Sequence, residues 1–232
     1  MGKIKKLVKK YLDENTGKVQ LKYDDIPTDI KYISFDIFDT LIVRDLNKPS
    51  DLFKILEEQL GIDGFAARRK EAEQVARSKS PGGEVTIYDI YRCLSGVPSE
   101  RLDEYVHKEL EAELSVCHAN QRLLDFYNEC VRNKKVILVS DMYLPAQMME
   151  QILKKCGITG YEKLYISCEA GASKRKGKLY NHVLSDLGIK SKDIIHIGND
   201  FVSDYIKAFK AGIHSMKIRT RRYKDFLLAE RK

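Results

Sequence analysis

Residues 32–42, Tyr-Ile-Ser-Phe-Asp-Ile-Phe-Asp-Thr-Leu-Ile, constrain the rest of the chain more than any other stretch. The first half is a short apolar, β-favouring run with no charge before Asp36, the pattern of a strand buried on both faces of a parallel sheet. Two carboxylates, Asp36 and Asp39, follow where such a strand must end. Ligands of open α/β sheets bind beyond the carboxyl ends of the strands, which puts Asp36 at the mouth of a site. Three later runs resemble it: 135–140 ends in Ser140-Asp141, 163–168 runs into a Gly- and Lys-rich loop, and 193–198 ends in Asn199-Asp200. Helical patterns separate these runs. The fold class expected is therefore α/β, a doubly wound parallel, Rossmann-like sheet.

Composition narrows the class without naming a chemistry. A chain of 232 residues, 43% hydrophobic and 32% charged, is that of an ordinary soluble globular protein able to bury a full core. No apolar run reaches the ~20 residues that span a bilayer. The basic start, residues 1–10, lacks the apolar core and small-residue cleavage site of a secretory signal. Cys93, Cys117, Cys130, Cys156 and Cys168 are odd in number and include no CxxC pair, so no disulfide framework or zinc site is expected and the setting expected is cytoplasmic. The net charge of +7 gathers at the ends, in residues 3–10, 219–222 and 231–232. Its alternatives are a solvated face or contact with an anionic surface; nucleic-acid binding is not expected, because no aromatic-interleaved basic stripe accompanies it.

Residues 1–27 are read as an N-terminal basic segment, with Ile4, Leu7, Val8 and Leu12 at helical spacing. After Arg44 strand character stops for almost ninety residues. Helical patterns cover 51–60, 65–77, 87–94, 99–114 and 121–131, with a break at Ser80-Pro81-Gly82-Gly83.

The pattern Phe-Asp-x-x-Asp-Thr-Leu at 35–41 resembles the first motif of the haloacid dehalogenase superfamily, most of whose members are phosphotransferases and phosphatases. The resemblance implies an α/β core from 28–44 and 134–232, closed by an inserted helical cap at 45–133. It also assigns roles. Asp36 is the nucleophile that takes the phosphoryl group, and Thr40 stabilises the turn behind it. Ser140, at the tip of the second core strand, binds a phosphoryl oxygen. Lys174 is the best match to the lysine that offsets charge between nucleophile and phosphate, with Lys176 and Lys178 close enough to compete. Asp36, Asn199, Asp200 and Asp204 are the implied Mg²⁺ ligands, a hard-oxygen set in which Asn199 takes the place of the usual Asp. Thr40, Asp141 and Arg44 are the expected substrate contacts. The fuller signature, Phe-Asp-x-Phe-Asp-Thr-Leu with Ser-Asp-Met-Tyr-Leu at 140–144, is similar to a subgroup associated with bacterial glycosyltransferases and surface-polysaccharide synthesis. That association bears on context and not on substrate: a glycosyltransferase is an expected partner, while the phosphorylated small molecule expected as substrate follows from the superfamily's phosphatase chemistry.

The sequence departs from the first motif at one place. The family's general acid is an Asp two residues after the nucleophile, and here that residue is Phe38. Asp39 is no substitute, since a one-residue shift redirects a side chain to the opposite side of an extended segment. Activated esters, which need little protonation, should then be favoured, and an Asp at 38 would restore the acid if its carboxyl can face the site. Two other functions stay open: a C–X-cleaving enzyme, and a weak or inactive domain that binds a phosphosugar or a glycosyltransferase.

Overall fold

The computed structural model describes residues 21–218. The expected N-terminal helix, all but the end of the basic segment, and the basic C-terminal residues lie outside them. Strands β1 (Tyr32–Phe35), β2 (Ile42–Arg44), β3 (Cys117–Ala119), β4 (Lys135–Ser140), β5 (Lys163–Ile166), β6 (Ile194–Gly198) and β7 (His214–Lys217) form two sheets. Five of them make one parallel sheet in the order β5-β4-β1-β6-β7, as the sequence led us to expect. The other two, β2 and β3, form a short antiparallel ribbon that the sequence did not announce.

Alternation along the central strands divides the core into two layers. On one face Ile33 and Phe35 of β1, Val136 and Leu138 of β4, and Ile195 and Ile197 of β6 share a cluster. On the other, Ile137 and Val139 meet Leu179, Tyr180 and Val183. Helices follow the strands: α1 (Leu52–Leu60), α2 (Phe65–Lys79), α3 (Ile87–Arg92), α4 (Leu102–Val116), α5 (Gln121–Asn133), α6 (Ala146–Lys155), α7 (Ser167–Ala170), α8 (Lys178–Leu187) and α9 (Lys207–Lys210), with a π-helical turn at Phe201–Ile206 before the last. The run read as a strand over 163–168 stops at Ile166, because Ser167 turns the chain and its Oγ accepts the Met142 amide at 3.1 Å.

Of the helices between β1 and β4, α5 packs on the sheet. Its Phe126 and Tyr127 rings meet Phe35 edge-on at 6.0 and 5.4 Å. The other four pack on one another around a buried ion pair. Arg69 of α2 donates from Nε and Nη2 to Glu109 of α4 at 2.7 and 2.6 Å, and Tyr91 donates to the same carboxylate at 2.8 Å. Arg69 and Glu109 are both 0% exposed. Removing the arginine strands a buried carboxylate, so Arg69→Met should lower the free energy of unfolding by about 3–5 kcal/mol. Arg69→Met with Glu109→Leu removes both charges and should recover most of that loss. Urea titration of the two variants measures it; equal losses would show that shape, not pairing, is what Arg69 supplies.

Candidate active site

β1 is the middle strand, and its ladder with β6 continues one residue beyond it, where Asp36 N donates to Ile197 O at 2.9 Å. The chain then turns sharply. Ile42 N donates back to Ile37 O at 2.9 Å, Asp39 N to Ile42 O at 2.7 Å, and Asp39 takes a left-handed backbone, φ 57°. That turn leaves Asp36 buried at the strand tip and Asp39 exposed, so the two carboxylates do part company.

The Asp36 carboxylate is held at both oxygens. Lys174 Nζ donates to Oδ1 at 2.6 Å, and Thr40 Oγ1 donates to Oδ2 at 2.9 Å. Lys174 also donates to Asp204 Oδ1 at 2.7 Å, and only 2% of its side chain is exposed. Its loop is bent by Asp141, whose carboxylate accepts the amides of Lys174 and Arg175 at 2.7 and 3.0 Å. Lys176 and Lys178 are exposed, and the Lys176 ammonium donates to Gly82 O in the turn between α2 and α3. Three lysines that sequence could not separate are thus separated by burial.

Asp204 positions the lysine. Besides Lys174 it accepts the Asp200 amide at 2.8 Å and lies 3.3 Å from His196 Nε2. Burial pushes Asp204 up, but Lys174 and His196 outweigh it and hold the carboxyl below the usual range. For Asp36 burial wins over Lys174, and its carboxyl is pushed well above that range. His196, wholly buried and kept neutral by burial, takes the Ser34 hydroxyl at Nδ1, 2.8 Å away. Sequence reading passed over His196; its signal was a lone polar ring inside the apolar run 194–198, in register with Ser34 of β1. Gly198 is required by closeness: a Cβ there would collide with the Asp204 carboxylate.

Ser140 is 2% exposed at the tip of β4, next to β1, and its hydroxyl makes no hydrogen bond among the described residues. Asn199 lies at the tip of β6, its side-chain oxygen 3.3 Å from Thr40 Oγ1. Two of the expected residues are engaged by protein partners. Asp200 caps the π-helical turn, its Oδ1 accepting Val202 N, Ser203 N and Ser203 Oγ at 2.9, 2.7 and 2.6 Å. Arg44 forms a two-pronged pair with Glu113, 2.8 and 2.9 Å, with its guanidinium 3.8 Å above the Phe38 ring. Thr40, fully buried, steadies Asp36 and has no surface to offer a substrate.

Which of these can hold Mg²⁺ follows from the donors. Among the described residues no three His, Cys, Asp or Glu side chains converge. Asp36 Oδ2 and the Asn199 oxygen both lie within 3.3 Å of the Thr40 hydroxyl, which supplies one carboxylate and one amide oxygen. Mg²⁺ keeps several waters and is commonly held by one or two carboxylates together with a substrate phosphate. The pair fits such an ion, and the ion's charge would also relieve a carboxylate that burial disfavours. Asp204, committed to Lys174, and Asp200, committed to its cap, do not join that set.

The same architecture occurs in solved structures. A 2-haloacid dehalogenase from Pseudomonas syringae superposes with a TM-score of 0.61 over 81% of this chain and 86% of its own, at 15% identity. The fold is that of the haloacid dehalogenase-like proteins. A haloacid dehalogenase-family enzyme of Bacteroides thetaiotaomicron in complex with magnesium and inorganic phosphate shares this fold at a TM-score of 0.56, with 19% identity over 82% of this chain and 95% of that one. In sequence, the haloacid dehalogenase-like hydrolase domain-containing protein 3 of Xenopus laevis is 24% identical over 131 residues, 54% of this chain. The match spans about half, 52%, of that curated relative. No family model matches the chain. Among the described residues of this haloacid dehalogenase-like fold, no helix is long and apolar enough to cross a membrane.

Proposed function

We propose that this chain is a hydrolase that cleaves a phosphate monoester through an aspartyl-phosphate on Asp36, with Mg²⁺ as cofactor. The observation that carries the reading is the Asp36–Lys174–Asp204 arrangement, in which one buried ammonium bridges a strand-tip carboxylate and its own positioning carboxylate. Thr40 orients Asp36 so that a carboxylate oxygen attacks phosphorus, while Lys174 and the unbonded Ser140 hydroxyl bind non-bridging oxygens. The bond to the leaving oxygen breaks with its electron pair on that oxygen. Water then attacks the phosphorus of the acyl phosphate, returning Asp36 and releasing inorganic phosphate. Asp36 and Asn199 are the residues that would hold Mg²⁺, which when bound would supply positive charge to the phosphoryl oxygens. A phosphorylated sugar as substrate, a cytoplasmic setting and a glycosyltransferase partner belong to the same reading; the five free cysteines agree with a reducing compartment.

Phe38 in place of the acid and Asn199 in place of a carboxylate favour a second reading, C–X cleavage, the chemistry named for the Pseudomonas syringae neighbour. One assay separates them. Phosphate release from 4-nitrophenyl phosphate that rises with Mg²⁺ and stops with EDTA is expected, with no chloride released from 2-chloropropionate. Metal-independent chloride release without phosphatase activity would replace the first reading by the second.

The structure alters the expectation for Phe38→Asp. A carboxyl placed there would lie beneath the Arg44 guanidinium, which would hold it ionised and take away the proton it was meant to donate. Turnover of a hexose phosphate should therefore stay within about threefold of wild type or fall, against the roughly 10²–10⁴ a working acid contributes. A rise of tenfold or more, read as phosphate release from glucose 6-phosphate, would show that the new carboxyl escapes Arg44.

A further inference from the structure

Glu109 and Glu113, one turn apart on α4 and both buried, each grip an arginine in the two-pronged manner. The two arginines differ in what is left over. Arg69 gives Nε and Nη2 to Glu109 and Nη1 to Glu73 at 3.4 Å, so all three of its nitrogens are occupied. Arg44 gives Nε and Nη2 to Glu113, and its Nη1 has no hydrogen-bond partner among the described residues. Its side chain is 10% exposed.

Its position gives the spare hydrogens a use. The turn after Asp36 folds the chain back, bridging Phe38 to Ile42, so that Arg44 lies on the ring that occupies the general-acid position. Tyr143, from the loop after β4, stands beside it. The Tyr143 ring lies 5.0 Å from the Arg69 guanidinium, and its hydroxyl has no hydrogen-bond partner among the described residues. Arg44 thus holds unused, cationic hydrogens over the Phe38 ring, two residues along the chain from Asp36, and the Tyr143 hydroxyl is a second unused donor.

We propose that Arg44 is the leaving-group residue: its free Nη1 hydrogens, with the Tyr143 hydroxyl, receive the leaving oxygen as an anion. The proposal rests on the phosphatase reading above and deepens it. When the phosphorus–oxygen bond breaks, both electrons stay with the oxygen, and a guanidinium that does not itself deprotonate neutralises it. The product takes its proton from water after it leaves. The substrate class is then phosphate esters or anhydrides whose leaving group departs as a stabilised anion or carries a further acidic group.

The test is the dependence of kcat/KM on leaving-group acidity, over 4-nitrophenyl, 4-chlorophenyl and phenyl phosphate with Mg²⁺. Arg44→Met should lose about threefold on the nitrophenyl ester and on the order of 10² on the phenyl ester, the loss typical of one preorganised charge contact. Arg44→Lys should keep a shallower slope than Arg44→Met. Because Arg44→Met strands Glu113, Arg44→Met with Glu113→Leu, which leaves no unpaired charge, is measured alongside and should show the same steep slope. A uniform loss across the three esters, or a double variant that returns to the wild-type slope, overturns the proposal in favour of a structural pair. Wild type releasing phosphate from none of the three overturns the phosphatase reading itself, an outcome distinct from either.

Discussion

Asp36→Asn should abolish phosphate release while leaving the fold intact. The amide keeps the size of the side chain and its bond from Thr40, but it cannot attack phosphorus. The stability expectation has a definite sign. The folded-state pKa of Asp36 is raised, chiefly by burial, so its ionised form weighs against folding at any pH above the unfolded value. A neutral amide removes that penalty, and Lys174 still has Asp204 as its counter-charge. Thermal unfolding of the variant should therefore match or exceed wild type. Residual activity within about tenfold of wild type, a barrier change of only ~1.4 kcal/mol, would sink the assignment of the nucleophile.

The second large effect belongs to the lysine loop. Lys174→Met should reduce turnover by on the order of 10²–10³, the usual consequence of losing a preorganised charge aimed at the reacting group. Lys176→Met and Lys178→Met should stay within about threefold, since both side chains are exposed and surface charges of this kind contribute little. The removal also leaves Asp36 and Asp204 facing each other without the ammonium between them. A melting curve is needed beside the kinetics, to show that lost turnover is not lost fold. Equal, mild losses at all three positions would mean that the cluster is merely a charged surface.

The sheet, and the strand-tip positions of the candidate site, could be read from the chain because they obey local rules. A strand buried on both faces is a continuous apolar run, and Asp36, Ser140 and Asn199 stand at the ends of such runs. What could not be read depends on partners far away in sequence or on elements too short to show a period. The ribbon strands have three residues each, too few for alternation to register. Phe201–Ile206 looks like any helix start, and its π-helical turn follows from Asp200 gathering the Val202 and Ser203 amides while Asp204 turns back to Lys174. The roles of Arg44 and Arg69 depend on glutamates 69 and 40 residues distant, so in sequence they are indistinguishable from solvated arginines. Lys174 differs from its neighbours only in depth, which no spacing encodes.

The ribbon has a consequence for how such a chain can diversify. Ile42 pairs with Ala119 and Arg44 with Cys117, so the segment between them leaves and re-enters the core at neighbouring points. A stretch whose two ends already touch can be lengthened, shortened or exchanged at small entropic cost to the remainder, because the closure of the loop is fixed by the ribbon and not by its contents. The four helices it carries behave in this sense as a cassette, and the strand tips bearing Asp36, Ser140 and Asn199 stand outside it. Selection can therefore rewrite those four helices while the sheet and its strand tips stay as they are.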